Sequence, residues 1–96
     1  MFVVITYDVN TESKEGKDRL RKVAKICTNY GQRVQNSVFE CILEPSQYKL
    51  LQSQLEENIN IKTDSIRIYH ISNNFHQKII HIGKENIINQ TKILIV

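Results

Sequence analysis

The run Phe2-Val3-Val4-Ile5-Thr6-Tyr7-Asp8 is apolar and rich in β-branched residues, and it ends in a carboxylate. It predicts a strand that leaves its sheet at Asp8. A polar stretch, Asn10-Thr11-Glu12-Ser13, follows. Leu20, Val23, Ala24, Cys27 and Tyr30 then recur at helical spacing as far as Gly31, an amphipathic helix with a glycine stop. Val34 to Leu43 reads as strand, either continuous or as two short strands joined by a kink near Asn36 and Ser37. Pro45 and Ser46 break that strand and open a second helix, in which Tyr48, Leu51 and Leu55 form one stripe ending near Asn58. From Asp64 to Ile71, Ile66 and Ile68 alternate with Arg67 and Tyr69, the pattern of a half-buried strand, and Ile79 to Ile82 suggests another short one.

The order β-α-β-β-α-β predicts an α+β, ferredoxin-like antiparallel sheet with two helices on one face. Both faces of the first strand, Val3/Ile5/Tyr7 and Phe2/Val4/Thr6/Asp8, are largely apolar, and two helices can cover only one of them. A single domain over 1–96 is expected, with a core of about 1–83 and a tail strand at about 91–96. That tail, Lys92-Ile93-Leu94-Ile95-Val96, is an aggregation hazard unless it joins a sheet edge. Both features point to a two-fold homodimer in which the C-terminal strand pairs across to the partner, the alternative being a tail that folds back on its own sheet.

Ninety-six residues suffice for one modest core and exclude separate catalytic and substrate domains. Cys27 and Cys41 form no C-x-x-C pair, so neither a disulfide framework nor a zinc knuckle is indicated. No run approaches a membrane span and no basic leader follows Met1, which leads us to expect a cytoplasmic protein without a membrane partner. The net charge of +3 is mild. Its distribution says more, because Lys14, Lys17, Arg19, Arg21, Lys22 and Lys25 crowd the first helix, as a solvated face or as a basic stripe for a polyanion.

Asp8 is the leading candidate for chemistry. A carboxylate at the mouth of a rigid strand reaches solvent from a fixed position, as a hard metal ion or a phosphate reaction requires. The competing reading is a helix cap or turn starter. Arg33 and Arg67 either clamp phosphates or pair with Glu40 and Asp64; phosphate is the stronger reading for Arg33 and pairing with Asp64 for Arg67. His70, His76 and His81 match no metal spacing and read as loop and surface residues. Tyr7 lies on the opposite strand face from Asp8 and reads as core, while Phe39 is either core or an interface anchor. No glycine-rich phosphate loop, Ser/His/Asp or Cys/His constellation can be assembled, and no His or Glu stands out as a general base.

The segments VVITYD, KDRLRKV, GQRVQNSVFE and DSIRIY together resemble the small CRISPR-associated endonuclease (endoribonuclease) family of the Cas-two type, from Met1 to about Ile71. The resemblance implies a ferredoxin-like homodimer whose two Asp8 carboxylates face each other across the two-fold axis and share one Mg2+. Asp8 would then be both metal ligand and catalytic residue. The resemblance also implies nucleic-acid contacts from Lys17, Arg19 and Arg33, with Tyr7, Ser37 and Phe39 near the site or the dimer interface. Lys17 departs from the arginine common there, keeping the charge without the bidentate fork. The implied function is a Mg-dependent endonuclease on RNA or double-stranded DNA that assembles with the integrase of spacer acquisition. The alternative is a non-catalytic scaffold bridging two integrase dimers and binding duplex DNA. Independently of the resemblance, a dimerising regulatory or toxin-type module fits the same pattern.

Overall fold

The computed structural model describes residues 1–71 and 80–83. Its elements run β1 (Phe2–Asp8), α1 (Lys14–Tyr30), β2 (Gln32–Gln35), β3 (Val38–Ile42), α2 (Pro45–Glu57) and β4 (Ser65–Ile71). The strands form one sheet in the order β2-β3-β1-β4, and every neighbouring pair is antiparallel. This is the ferredoxin-like α+β arrangement, with the apolar first strand inside the sheet where both of its edges are paired.

Local chemistry sets the boundaries. Ser13 caps α1, its Oγ accepting the Gly16 N–H at 3.0 Å, and Gly31 ends the helix by donating its N–H to the Cys27 carbonyl. The cap role considered for Asp8 therefore belongs to Ser13. Pro45 opens α2 behind a capping box in which Gln47 Oε1 accepts the Glu44 N–H. The expected kink near Asn36 and Ser37 is the turn between β2 and β3.

Period-two alternation divides the sheet into two unlike faces. Val3, Ile5 and Tyr7 of β1, with Phe39 and Cys41 of β3, meet Val23 and Cys27 of α1 and Leu51 and Leu55 of α2 in one buried cluster. Fully burying side chains such as Ile5, Leu51 and Phe39 contributes about 1.5–3 kcal/mol each. The other face carries Val4, Thr6 and Asp8 of β1, Val38, Glu40 and Ile42 of β3, and Ser65, Arg67, Tyr69 and Ile71 of β4. Neither helix covers it.

Residues 80–82 lie in no strand, and Ile80 and Ile82 are 82% and 90% exposed, so the short strand expected over 79–82 is not found in its described part. Ile79, His76 and the 91–96 tail strand with its cross-dimer pairing lie outside the described residues. His70 belongs to β4 rather than to a loop. Its Nε2 lies 3.2 Å from the Tyr48 hydroxyl, which ties β4 to α2.

Candidate functional site

The end of β1 is held from both sides. On the β3 side, the Tyr7 N–H donates to the Ser37 carbonyl at 3.1 Å, and the Tyr7 hydroxyl donates to the Asn36 carbonyl at 3.1 Å. On the β4 side, Asp8 stands opposite Ser65. The 36–37 turn and the first residue of β4 thus fix the backbone on which Asp8 sits. The Asp8 carboxylate points to the helix-free face, is exposed, and makes no side-chain hydrogen bond or ion pair among the described residues.

Tyr7 is core, as its strand face predicts. It is 6% exposed, its ring lies 6.1 Å from that of Phe39, and burial raises its hydroxyl above the ordinary value against the opposing pull of the Arg33 guanidinium. Phe39 is wholly buried, which resolves the choice between core and interface anchor in favour of core. Ser37 acts through its backbone carbonyl, as a support for β1.

Arg33 does not join Asp8. A register irregularity between Arg33 and Gln35 turns Arg33 toward the helix-covered face, where its guanidinium lies over the Phe39 ring at 5.2 Å. It is two strands from β1 and behind the sheet relative to Asp8. Lys17, exposed in the first turn of α1, lies at the same end of the fold as Asp8.

Arg19 occupies a different position from the one its place in the basic stripe suggests. Its Nε donates to Asp64 Oδ2 at 2.8 Å, and the Asp64 side chain has no solvent exposure. Asp64 also accepts the N–H groups of Asn60 at 2.9 Å and Asn10 at 3.1 Å and the Thr63 hydroxyl at 3.0 Å. The expected pairing of Arg67 with Asp64 is thereby corrected. Arg67 stands opposite Thr6 on the helix-free face, whereas Asp64 precedes β4 and turns toward α1. The Arg33–Glu40 pairing is likewise not formed, and Glu40 Oε1 is buried without a hydrogen-bond partner among the described residues.

The Asp64 hub and the orphaned Glu40 oxygen were not anticipated from sequence. Asp64 is 45 residues from Arg19 and 54 from Asn10, and no local spacing links them. For Glu40, alternation assigns the face but gives no measure of burial.

No group of three or more His, Cys, Asp or Glu side chains able to hold a metal exists among the described residues. Among the described residues, Asp8 is the uncommitted carboxylate that one chain offers at this site. Mg2+ keeps several waters and is typically held by one or two carboxylates with phosphate oxygens. Asp8 fits such an ion when supplied twice. Among the described residues no helix is long and apolar enough to cross a membrane.

The fold has counterparts among known proteins. The model of the family described as CRISPR associated protein Cas2 matches residues 1–79. A "CRISPR-associated endonuclease Cas2" from Halalkalibacterium halodurans is 57% identical over 83 residues, covering 86% of each chain. A "CRISPR-associated endoribonuclease Cas2" from Chlorobaculum tepidum is 49% identical over the same length, again covering 86% of each. The crystal structure of Streptococcus pyogenes Cas2 at pH 6.5 superposes with a TM-score of 0.76 at 49% identity, covering 86% of this chain and 100% of that one. The chain described here belongs to the CRISPR-associated Cas2 protein family.

Proposed function

We propose that the protein is a homodimeric, Mg2+-dependent endonuclease of CRISPR adaptation, in which Asp8 from each subunit holds one shared ion and the dimer assembles with the integrase of spacer acquisition. The observation that carries this reading is the uncommitted Asp8 carboxylate, gripped through Tyr7 and Ser65 and aimed out of the helix-free face. Facing sheets pack about 10 Å apart. Two carboxylates reaching toward each other across that gap come close enough to share a cation.

Mg2+ held by the Asp8 pair would supply Lewis-acid polarisation of a phosphodiester and activation of water for attack on it. The protein's own contribution is positional. Asp8 fixes the ion site through a backbone that cannot swing, and Lys17 at the same end offers its ammonium to the phosphate chain. Arg33, stiffened by its stack on Phe39, offers a planar fork to a more distant phosphate.

The test is cleavage of RNA and of duplex DNA by wild type and Asp8→Asn prepared in parallel, with Mg2+ and with chelator. Wild type should cut only with Mg2+, and Asp8→Asn should lose cleavage while keeping its fold. Equal cleavage by both proteins overturns the role of Asp8, the activity then coming from elsewhere or from contamination, whereas integrase co-purification and spacer acquisition that survive Asp8→Asn favour the scaffold that bridges integrase dimers.

A further inference from the structure

The helix-free face carries an acid and a base on opposite sides of β1. Glu40 on β3 stands opposite Val4, and Arg67 on β4 stands opposite Thr6. Between and around them lie Val4, Val38, Tyr69 and Ile42, the last two 46% and 41% exposed. Glu40 Oε1 is buried without a hydrogen-bond partner among the described residues, and desolvation raises its carboxyl above the ordinary value. A buried acceptor left unpaired costs about 1–3 kcal/mol, more when charged. A partner that covers this face and brings a donor to the Glu40 carboxyl would offset that cost.

Symmetry identifies that donor. Asp8 ends its strand, so a two-fold axis running across the strands at Asp8 would leave the two sheets extending away from each other. Of these two directions, across or along the strands, only an axis along them joins the Asp8 pair and also covers the apolar face. Rotation about it lays β3 of one subunit over β4 of its partner. Glu40 then faces the strand that bears Arg67, two residues further along. That offset is about 7 Å along the strand, across a gap of about 10 Å between sheets. Only a long side chain spans it, and Arg67 is the one cation that β1, β3 and β4 project from this face. Arg67 is exposed beside Tyr69, the next residue on this face of β4, which leaves its five donors for other acceptors.

We propose that Glu40 of each subunit is paired with Arg67 of the partner subunit, so that two reciprocal ion pairs flank the β1 strands and fix the rotation at which the Asp8 carboxylates meet. The proposal rests on the dimer proposed above and gives it a register. Apolar contact alone would let the two sheets slide or rotate, whereas charges at reciprocal positions favour one orientation and penalise the others.

Sedimentation equilibrium of wild type, Glu40→Arg, Arg67→Glu and the double exchange tests it, with circular dichroism to establish that each protein is folded. Each single exchange places like charges face to face and should weaken dimerisation on the order of ten-fold or more. The double exchange should return the dimer dissociation constant to within about three-fold of wild type, because it restores the pair with its polarity reversed. Single effects that merely add in the double variant overturn the pairing while leaving the dimer intact. A wild type that stays monomeric overturns the pairing and the dimer together. Should Glu40→Arg fail to fold, the cycle of Glu40→Ala, Arg67→Ala and both gives the same reading: coupling is predicted, and additivity contradicts it.

Discussion

Arg19 and Asp64, 45 residues apart, meet at 2.8 Å where the carboxylate is fully shielded from solvent. The pair joins α1 to the loop before β4. Through the Asn10 N–H it also takes hold of the chain two residues beyond Asp8. A residue that looks like part of a basic surface is thus an internal brace for the site.

This brace predicts opposite behaviour for two neighbouring cations. Lys17→Ala should weaken nucleic-acid binding about equally for all sequences and make the slope of log affinity against log salt shallower by about 0.9 for each phosphate that Lys17 neutralises, with melting unchanged. Arg19→Ala should lower the melting temperature by several degrees and leave the salt slope alone. Salt-dependent binding curves beside thermal melts separate the two roles.

The Asp64 carboxyl is held well below the usual carboxylate range, first by Arg19, with the Asn60 and Asn10 amides and the Thr63 hydroxyl adding to the effect against the opposing pull of burial. The unfolded chain takes up this proton near 3.8, whereas the folded chain resists it. Its stabilisation is therefore complete above that value and disappears as pH falls through the lower folded value. Thermal melts from pH 7 to pH 3 should show wild type losing stability below about pH 4, while Asp64→Asn, already less stable at neutral pH, should show a shallower acid decline.

Gly31 lies against β3 so closely that a Cβ would sit 2.4 Å from both Cys41 Sγ and the Glu40 carbonyl oxygen. Its backbone is extended, so the constraint is space alone. Gly31→Ala should cost about 1–3 kcal/mol as β3 is pushed from α1. Chemical denaturation reads this as a lower midpoint with an unchanged slope.

Burial pushes the thiols of Cys27 and Cys41 up to about 12. The thiolate is the reactive form, so neither should be alkylated at pH 8 in the folded protein, and both should react once denaturant unfolds it. Mass spectrometry after timed iodoacetamide exposure reports the number of modified thiols in each state.

The element order and the two-faced sheet were legible because each rests on local pattern: a continuous β-branched apolar run in β1, alternating apolar residues in β4, a helical stripe from Leu20 to Tyr30, and Pro45 at the opening of α2. Asp8 could be singled out for the same reason, since strand parity alone places it on the face opposite Tyr7. Long-range pairings were not legible. Arg67 is only three residues from Asp64, yet alternation turns it to the open face while Asp64 turns to α1. The direction of Arg33 depends on a register irregularity after it, which simple alternation does not reveal.

The most direct measurement is a titration of Mn2+, as a spectroscopic substitute for Mg2+, into the wild-type protein and into Asp8→Asn, followed by electron paramagnetic resonance. Bound ion should saturate at one per two chains in wild type and disappear in Asp8→Asn. Saturation at one ion per chain, or equal binding by the variant, would contradict a metal site built from the same carboxylate contributed twice.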